Sequence, residues 1–187
     1  MQEIVMSREE IEQAAERIAD SLSERLKDDE KIPVFLAVMR GALYFMAELR
    51  KRMKIPSFDS YVHLQSYSGT QSTGKIKNLH DPEIDLNGRT VVIVEDVVDT
   101  GLSMAYLKKH LYEIAKPKQV LLVALFDKAC ARKVPVEVDY SGKVLNENKF
   151  LLGFGLDYNG LCRNSDFVYT PTPEDIKEMD EILAKRG

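Results

Sequence analysis

Tryptophan is absent from this chain of 187 residues, and cysteine occurs only twice. Cys130 and Cys162 stand far apart, with no CxxC or Cys/His cluster around them. That excludes a disulfide framework and a zinc site, and leaves two buried thiols as the expectation. No apolar run approaches the length needed to cross a bilayer, so no membrane partner is expected. The opening MQEIVMSREEIEQAAERI has no basic region followed by an apolar stretch, which argues against a secretory signal. Its acidic residues argue against an organelle transit peptide, and the cytoplasm is the expected location. A basic excess is missing as well: 30 acidic residues outnumber 26 Lys and Arg, for a formal net charge of −4. A nucleic-acid surface normally carries the opposite balance, so no nucleic-acid partner is expected.

What is present suits one globular domain over 1–187, with 44% hydrophobic and 30% charged residues. Ser7 followed by Glu10 forms a capping-box pattern, and Ile11, Ala14, Ala15, Ile18, Leu22 and Leu26 repeat at helical spacing, predicting a helix near 7–27. Pro33 to Met39 is a continuous apolar run, as in a strand covered on both faces, and Gly41 opens a helical segment reaching about Met53. Phe58 to Ser66 reads as a strand, and the Ser, Thr and Gly of 67–80 read as a mobile loop. Asn87-Gly88 is a turn signal before the β-branched strand Thr90 to Val94, and Leu102 to Ile114 looks helical.

Further strands are expected over Val120 to Phe126, Val134 to Tyr140 and Phe150 to Phe154. Thr172-Pro173-Glu174-Asp175 supplies a cap, an N1 proline and first-turn acids for a last helix over about 173–185. Strands alternating with helices predict an α/β fold: a mainly parallel twisted sheet with helices on both faces. Ligands of such sheets bind beyond the carboxyl ends of the strands, so the loops after Met39, Val94 and Phe126 should share one site.

The segment Val91 to Ser103, VVIVEDVVDTGLS, is where chemistry concentrates. Backbone amides around Gly101, with the hydroxyls of Thr100 and Ser103, form an anion nest where a helix begins. Glu95 and Asp96 repel a phosphate but accept hydrogen bonds from sugar hydroxyls and bind Mg2+ through oxygen. A plainer reading makes the three acids mere helix caps; for an isolated DTG the two are evenly matched, and the preceding strand and paired acids favour a sugar-phosphate site.

This segment resembles the phosphoribosyl-pyrophosphate signature of type I phosphoribosyltransferases in its hypoxanthine-guanine form. The resemblance continues in order through Met39-Arg40-Gly41, Ser66-Tyr67, Phe126-Asp127-Lys128, Phe150 to Phe154, Leu156-Asp157-Tyr158 and Arg163. It implies the type I fold, with a small hood made from parts of the N-terminal segment and residues after about 128. It implies transfer of a phosphoribosyl group from phosphoribosyl pyrophosphate to a 6-oxopurine with Mg2+ as cofactor, in a homodimer or homotetramer. Val98, Asp99, Thr100, Gly101, Leu102 and Ser103 would hold the 5′-phosphate, Glu95 and Asp96 the ribose hydroxyls, and Asp99 would also be the general base facing N7.

By the same resemblance, Arg40, Gly41 and Arg163 would bind pyrophosphate, with a cis peptide between Arg40 and Gly41. Lys128 would donate to the 6-oxo group, Phe150 would stack on the base, and backbone near Leu151 and Asp157 would meet its pyrimidine edge. Glu95, Asp96 and Asp157 would attend the metal, and Ser66-Tyr67 would begin a loop that closes over the reaction. The stretches SGTQSTGKI and SGKVLNENK depart from the usual loop and hood, which bears on base preference. Taken singly, Lys128 is an ordinary strand-end lysine, Phe150 a core residue, and Arg40, Asp157 and Arg163 surface charges.

Overall fold

The computed structural model describes residues 3–66 and 76–186. In chain order the elements are β1 (Glu3–Met6), α1 (Arg8–Leu26), β2 (Val34–Met39), α2 (Leu43–Arg50), β3 (Phe58–Ser66) and β4 (Ile76–His80). There follow β5 (Thr90–Val98), α3 (Leu102–Ile114), β6 (Gln119–Asp127), β7 (Tyr140–Val144), β8 (Val168–Thr170) and α4 (Pro173–Arg186). The capping box of α1 is complete: the Ser7 hydroxyl accepts from the Glu10 amide at 3.3 Å, and Glu10 Oε2 accepts from the Ser7 amide at 2.7 Å. Such a cap contributes about 1 kcal/mol.

Among the described residues, six strands lie in the order β4-β3-β2-β5-β6-β7, parallel throughout except for the antiparallel pair β3·β4. Alternate residues of each central strand enter different cores, because successive side chains of a strand point to opposite faces. Phe35, Ala37, Val92, Val94, Leu121 and Val123 join Ile18, Leu22, Phe45 and Leu49 of α1 and α2 on one face. Leu36, Val91, Ile93, Val120 and Leu122 join Met104, Leu107 and Leu111 of α3 on the other. Burial on both faces is why these strands read as unbroken apolar runs. β2, the first strand of this sheet along the chain, has β3 on one side and β5 on the other, so successive connections diverge there and open a crevice beyond the strands' carboxyl ends.

β1 and β8 form a separate antiparallel pair, and neither is foreshadowed by the sequence pattern. Their four and three residues are too short to show a periodicity. Residues 76–80, expected within a loop, form β4 against β3; the rest of that expected loop, 67–75 with Tyr67, lies outside the described residues. Val134 to Tyr140 is not a strand. Val136 and Val138 pack against the α3 core without a ladder, Pro135 lacks an amide to give, and pairing with β6 starts only at Tyr140.

The expected strand Phe150 to Phe154 is reduced to isolated bridges, because Gly153 and Phe154 take φ of 93° and 50° and turn the chain. Nor are the thiols buried: Cys130 is exposed and Cys162 partly so. α2 is shorter at both ends than the sequence suggests, and no helix among the described residues is long and apolar enough to cross a membrane.

Candidate active site

β5 carries its acidic pair to the sheet's carboxyl edge. Glu95 is buried, its Oε1 accepting from the Asp96 amide at 3.1 Å, and Asp96 Oδ1 accepts from the Val97 amide at 2.7 Å. Val98 is buried and Asp99 exposed, after which Gly101, at φ 83°, is the N-cap of α3. Only a residue at ease with positive φ turns a strand into a helix this abruptly. Thr100 Oγ1 accepts from the Leu102 amide at 3.4 Å. A depression of about 130 Å³ opens here, lined by Glu95, Asp99, Thr100, Gly101 and Ser103 among others. Val98 turns inward and Leu102 outward, so these two contribute backbone rather than side chains.

β2 ends beside this depression. The structure has a cis peptide between Met39 and Arg40, one bond earlier than the resemblance implied. Arg40 is exposed, and the Ala42 amide donates to Val38 O at 3.2 Å. Gly41 is clamped: a Cβ there would stand 1.7 Å from Asp96 Oδ2. On its other side, a Cβ on Gly155 (φ 98°) would stand 2.1 Å from Gly41 O. Gly155 is a site residue that sequence reasoning missed; its only signal was the closely spaced Gly153 and Gly155 in LLGFGL.

From β6 comes Lys128, 6% exposed, whose amide donates to Val98 O at 3.0 Å. Its ammonium makes no hydrogen bond or ion pair among the described residues. Its Nζ is not among the buried polar atoms left without a partner, so the stem is covered while the ammonium tip stays open to solvent or a ligand. Ser66 lies in β3, where only its backbone is described.

The segment after β7 forms the opposite wall. Phe150 is 49% exposed and meets Tyr158 edge-on, with centroids 6.2 Å apart, while Leu151 is buried. Arg163 Nη2 pairs with Asp157 Oδ1 at 2.7 Å and Arg163 Nη1 donates to Gly155 O. Asp157 Oδ2 accepts from the Gly160 amide at 2.7 Å, so both oxygens of that carboxylate are engaged.

Burial, followed by the neighbouring charge of Asp96, pushes the Glu95 carboxyl well above its ordinary 4.5. A cation beside the pair would relieve both effects. No group of three or more His, Cys, Asp or Glu that could hold a metal occurs among the described residues, so Glu95, Asp96 and Asp157 do not make an all-protein cage. Two adjacent carboxylates at an open edge still fit Mg2+, which takes one or two carboxylates and completes its shell with water and substrate phosphates.

A family model described as the phosphoribosyl transferase domain matches residues 3–159. The chain belongs to the phosphoribosyltransferase family. It is 34% identical over 175 residues to the hypoxanthine-guanine phosphoribosyltransferase of Lactococcus lactis, covering 93% of each chain. It is 33% identical over 165 residues to the hypoxanthine-guanine-xanthine phosphoribosyltransferase of Tritrichomonas foetus, covering 88% of each. Among solved structures, the hypoxanthine phosphoribosyltransferase of Trypanosoma cruzi superposes with TM-score 0.88 at 28% identity, over 96% of this chain and 95% of that one. That of Staphylococcus aureus gives TM-score 0.84 at 29% identity, over 92% of both chains. The type I phosphoribosyltransferase fold expected from the sequence is thus established, and α4 lies beyond the span matched by the family model.

Proposed function

We propose that this phosphoribosyltransferase moves the 5-phosphoribosyl group of phosphoribosyl pyrophosphate to N9 of hypoxanthine or guanine, giving IMP or GMP and pyrophosphate for purine salvage. The observation that supports the choice of base is Lys128, whose stem is buried, whose ammonium has no protein partner among the described residues, and whose amide sits on Val98 O beside the turn into α3. An ammonium has donors only, so it favours a 6-oxo group and disfavours the 6-amino group of adenine. Phe150 offers an exposed face for stacking, and the backbone at Leu151 and Asp157 serves the pyrimidine edge.

Val98, Asp99, Thr100, Gly101, Leu102 and Ser103 supply the cradle for the 5′-phosphate, through amides and hydroxyls at the start of α3. Glu95 and Asp96 take the ribose hydroxyls. Arg40, Gly41 and Arg163 hold pyrophosphate, with Asp157 fixing the guanidinium of Arg163. Glu95 and Asp96 would hold Mg2+ together with substrate oxygens, and the ion would supply positive charge against the pyrophosphate; Asp157 would join them only by giving up a bond to Arg163 or Gly160. The N9–C1′ bond forms as the bond from C1′ to pyrophosphate breaks, and the proton lost by the purine passes to the Asp99 carboxylate at N7. Ser66 and Tyr67 begin the segment that excludes water from C1′.

The hood is assigned to β1, β8 and residues after about 128; Lys143 Nζ donates to Val5 O at 2.6 Å and Lys149 pairs with Glu3 at 2.6 Å across it. Self-association as a homodimer or homotetramer follows from the family resemblance; the groove shared by Leu43 and Tyr61, 50% and 44% exposed, is a surface that supports it, and sedimentation velocity checks it. The two unpaired cysteines suit the reducing cytoplasm. The functional test mixes protein, Mg2+ and phosphoribosyl pyrophosphate with hypoxanthine, guanine, xanthine or adenine separately. Nucleotide is expected from the first two, and no turnover with any 6-oxopurine rejects the reading.

A further inference from the structure

We propose that Asp127 and Arg132 form a positioning pair that fixes the separation between Lys128 and the phosphate cradle, and so sets how the two substrates meet. This rests on the phosphoribosyl-transfer reading above. β6 ends at Asp127, Lys128 follows, a single 3-10 turn spans Ala129–Ala131, and Arg132 comes next. Arg132 Nη2 pairs with Asp127 Oδ1, and the two side chains are only 17% and 18% exposed. The pair therefore closes a short loop whose second residue is Lys128.

That loop is tied to the cradle at both ends. The Lys128 amide donates to Val98 O at 3.0 Å, and the Lys133 and Val134 amides both donate to Thr100 O, at 2.9 and 3.1 Å. The stem of Arg132 lies against the turn itself, since a Cβ on Gly101 would come within 3.0 Å of Arg132 Cδ. Movement of Arg132 is thus transmitted to the anion nest by direct contact, and to Lys128 through the chain. Arg132 Nη1 is buried without a protein partner, an arrangement that works against stability. A guanidinium placed for stability alone would have both prongs satisfied. Here one prong holds Asp127, and the charge remains close to the site of the incoming anion.

A misplacement on the order of 1 Å between reacting atoms costs roughly 100-fold in rate without requiring loss of either substrate. The test compares wild type, Arg132→Met, Asp127→Asn, their double variant and Arg132→Lys, measuring kcat, both KM values and thermal midpoint. Each of the first two variants is expected to lower kcat by about 30- to 100-fold, with each KM within about threefold. The double variant should be no worse than the worse single, because the pair acts as a unit. Arg132→Lys keeps the charge but not the planar fork, folds if the others do not, and should lose kcat by about fivefold to tenfold. A full kcat in Arg132→Lys, unchanged kcat with only a lowered midpoint in the others, or losses that multiply in the double variant would overturn the pair's role. An inactive wild type overturns the functional reading and this role with it; when the wild type is active, the variants report on the pair alone.

Discussion

The two walls of the site are built differently. The phosphate wall is a continuous run of strand, turn and helix from Glu95 to Ser103, with one positive-φ residue, Gly101. The purine and pyrophosphate wall, from Phe150 to Arg163, has six: Gly153, Phe154, Gly155, Asn159, Gly160 and Cys162. Regular backbone hydrogen bonding shapes the first, so its exposed side chains are free to serve chemistry. Cross-links such as Arg163 to Asp157 and Gly155 O shape the second, so the side chains proposed to hold ligand also hold the wall. Substitutions should therefore separate activity from stability on the first wall and mix them on the second.

The largest effect belongs to Asp99→Asn. Because Asp99 is exposed, the thermal midpoint should not move, while kcat falls by about 10²- to 10⁴-fold and the KM for phosphoribosyl pyrophosphate stays within about threefold. Equal loss in both parameters would remove Asp99 from the base role. Next comes Lys128→Met, with kcat/KM for hypoxanthine expected to drop by roughly 100-fold and its preference over adenine to shrink. With the ammonium tip open to solvent and unpartnered among the described residues, the midpoint should change little, so a large drop would show that Lys128 has a partner in the folded chain.

On the opposite wall, Arg163→Met should fail in both respects together. The KM for phosphoribosyl pyrophosphate is expected to rise by about tenfold, with about 1–2 kcal/mol of stability lost once partial exposure of the pair is discounted. Denaturant unfolding beside steady-state kinetics measures both, and activity loss at full stability would break the contrast between the walls. The smallest effect is Glu95→Gln. With its pKa raised above 4.5 by burial and by Asp96, folded Glu95 holds a proton that the unfolded chain has released, so stability declines as pH rises through about 4.5 toward the raised value and stays reduced above it. In ligand-free protein Glu95→Gln should raise the midpoint at neutral pH and leave it unchanged below about pH 4, and an equal shift at both would reject that linkage.

The same contrast governs what could be read in the sequence. Thr90 to Val94 announces a strand because both faces are buried, and Gly101 after Thr100 announces the turn into α3; each signal is local. Lys128 becomes notable only once the fold buries it, since one lysine after an apolar run carries no such information. Val134 to Tyr140 alternates as a strand does, yet the alternation reflects packing over α3 and the pairing falls later. Phe150 to Phe154 has strand composition, but the carbonyls and amides around Gly153 and Gly155 close a turn with Leu156, Arg163 and Ser165. Arg132 is one of several basic residues after β6, and what distinguishes it is a contact with Gly101 that no spacing rule encodes.

The clamp on Gly41 bears on the order in which the enzyme is assembled. Its backbone is enclosed by Asp96 on one side and Gly155 on the other, segments that leave the ribosome at widely different times. Contacts of such long sequence separation form late, after the entropy of closing the intervening chain has been met. The turn from β5 into α3 is itself held by amides of Lys128, Lys133 and Val134, and the loop after β2 has no far wall until Gly155 has been synthesised and folded back. Closure around Gly41 therefore cannot precede synthesis of the segment through Gly155, whereas the turn from β5 into α3 is complete in the chain by Ser103.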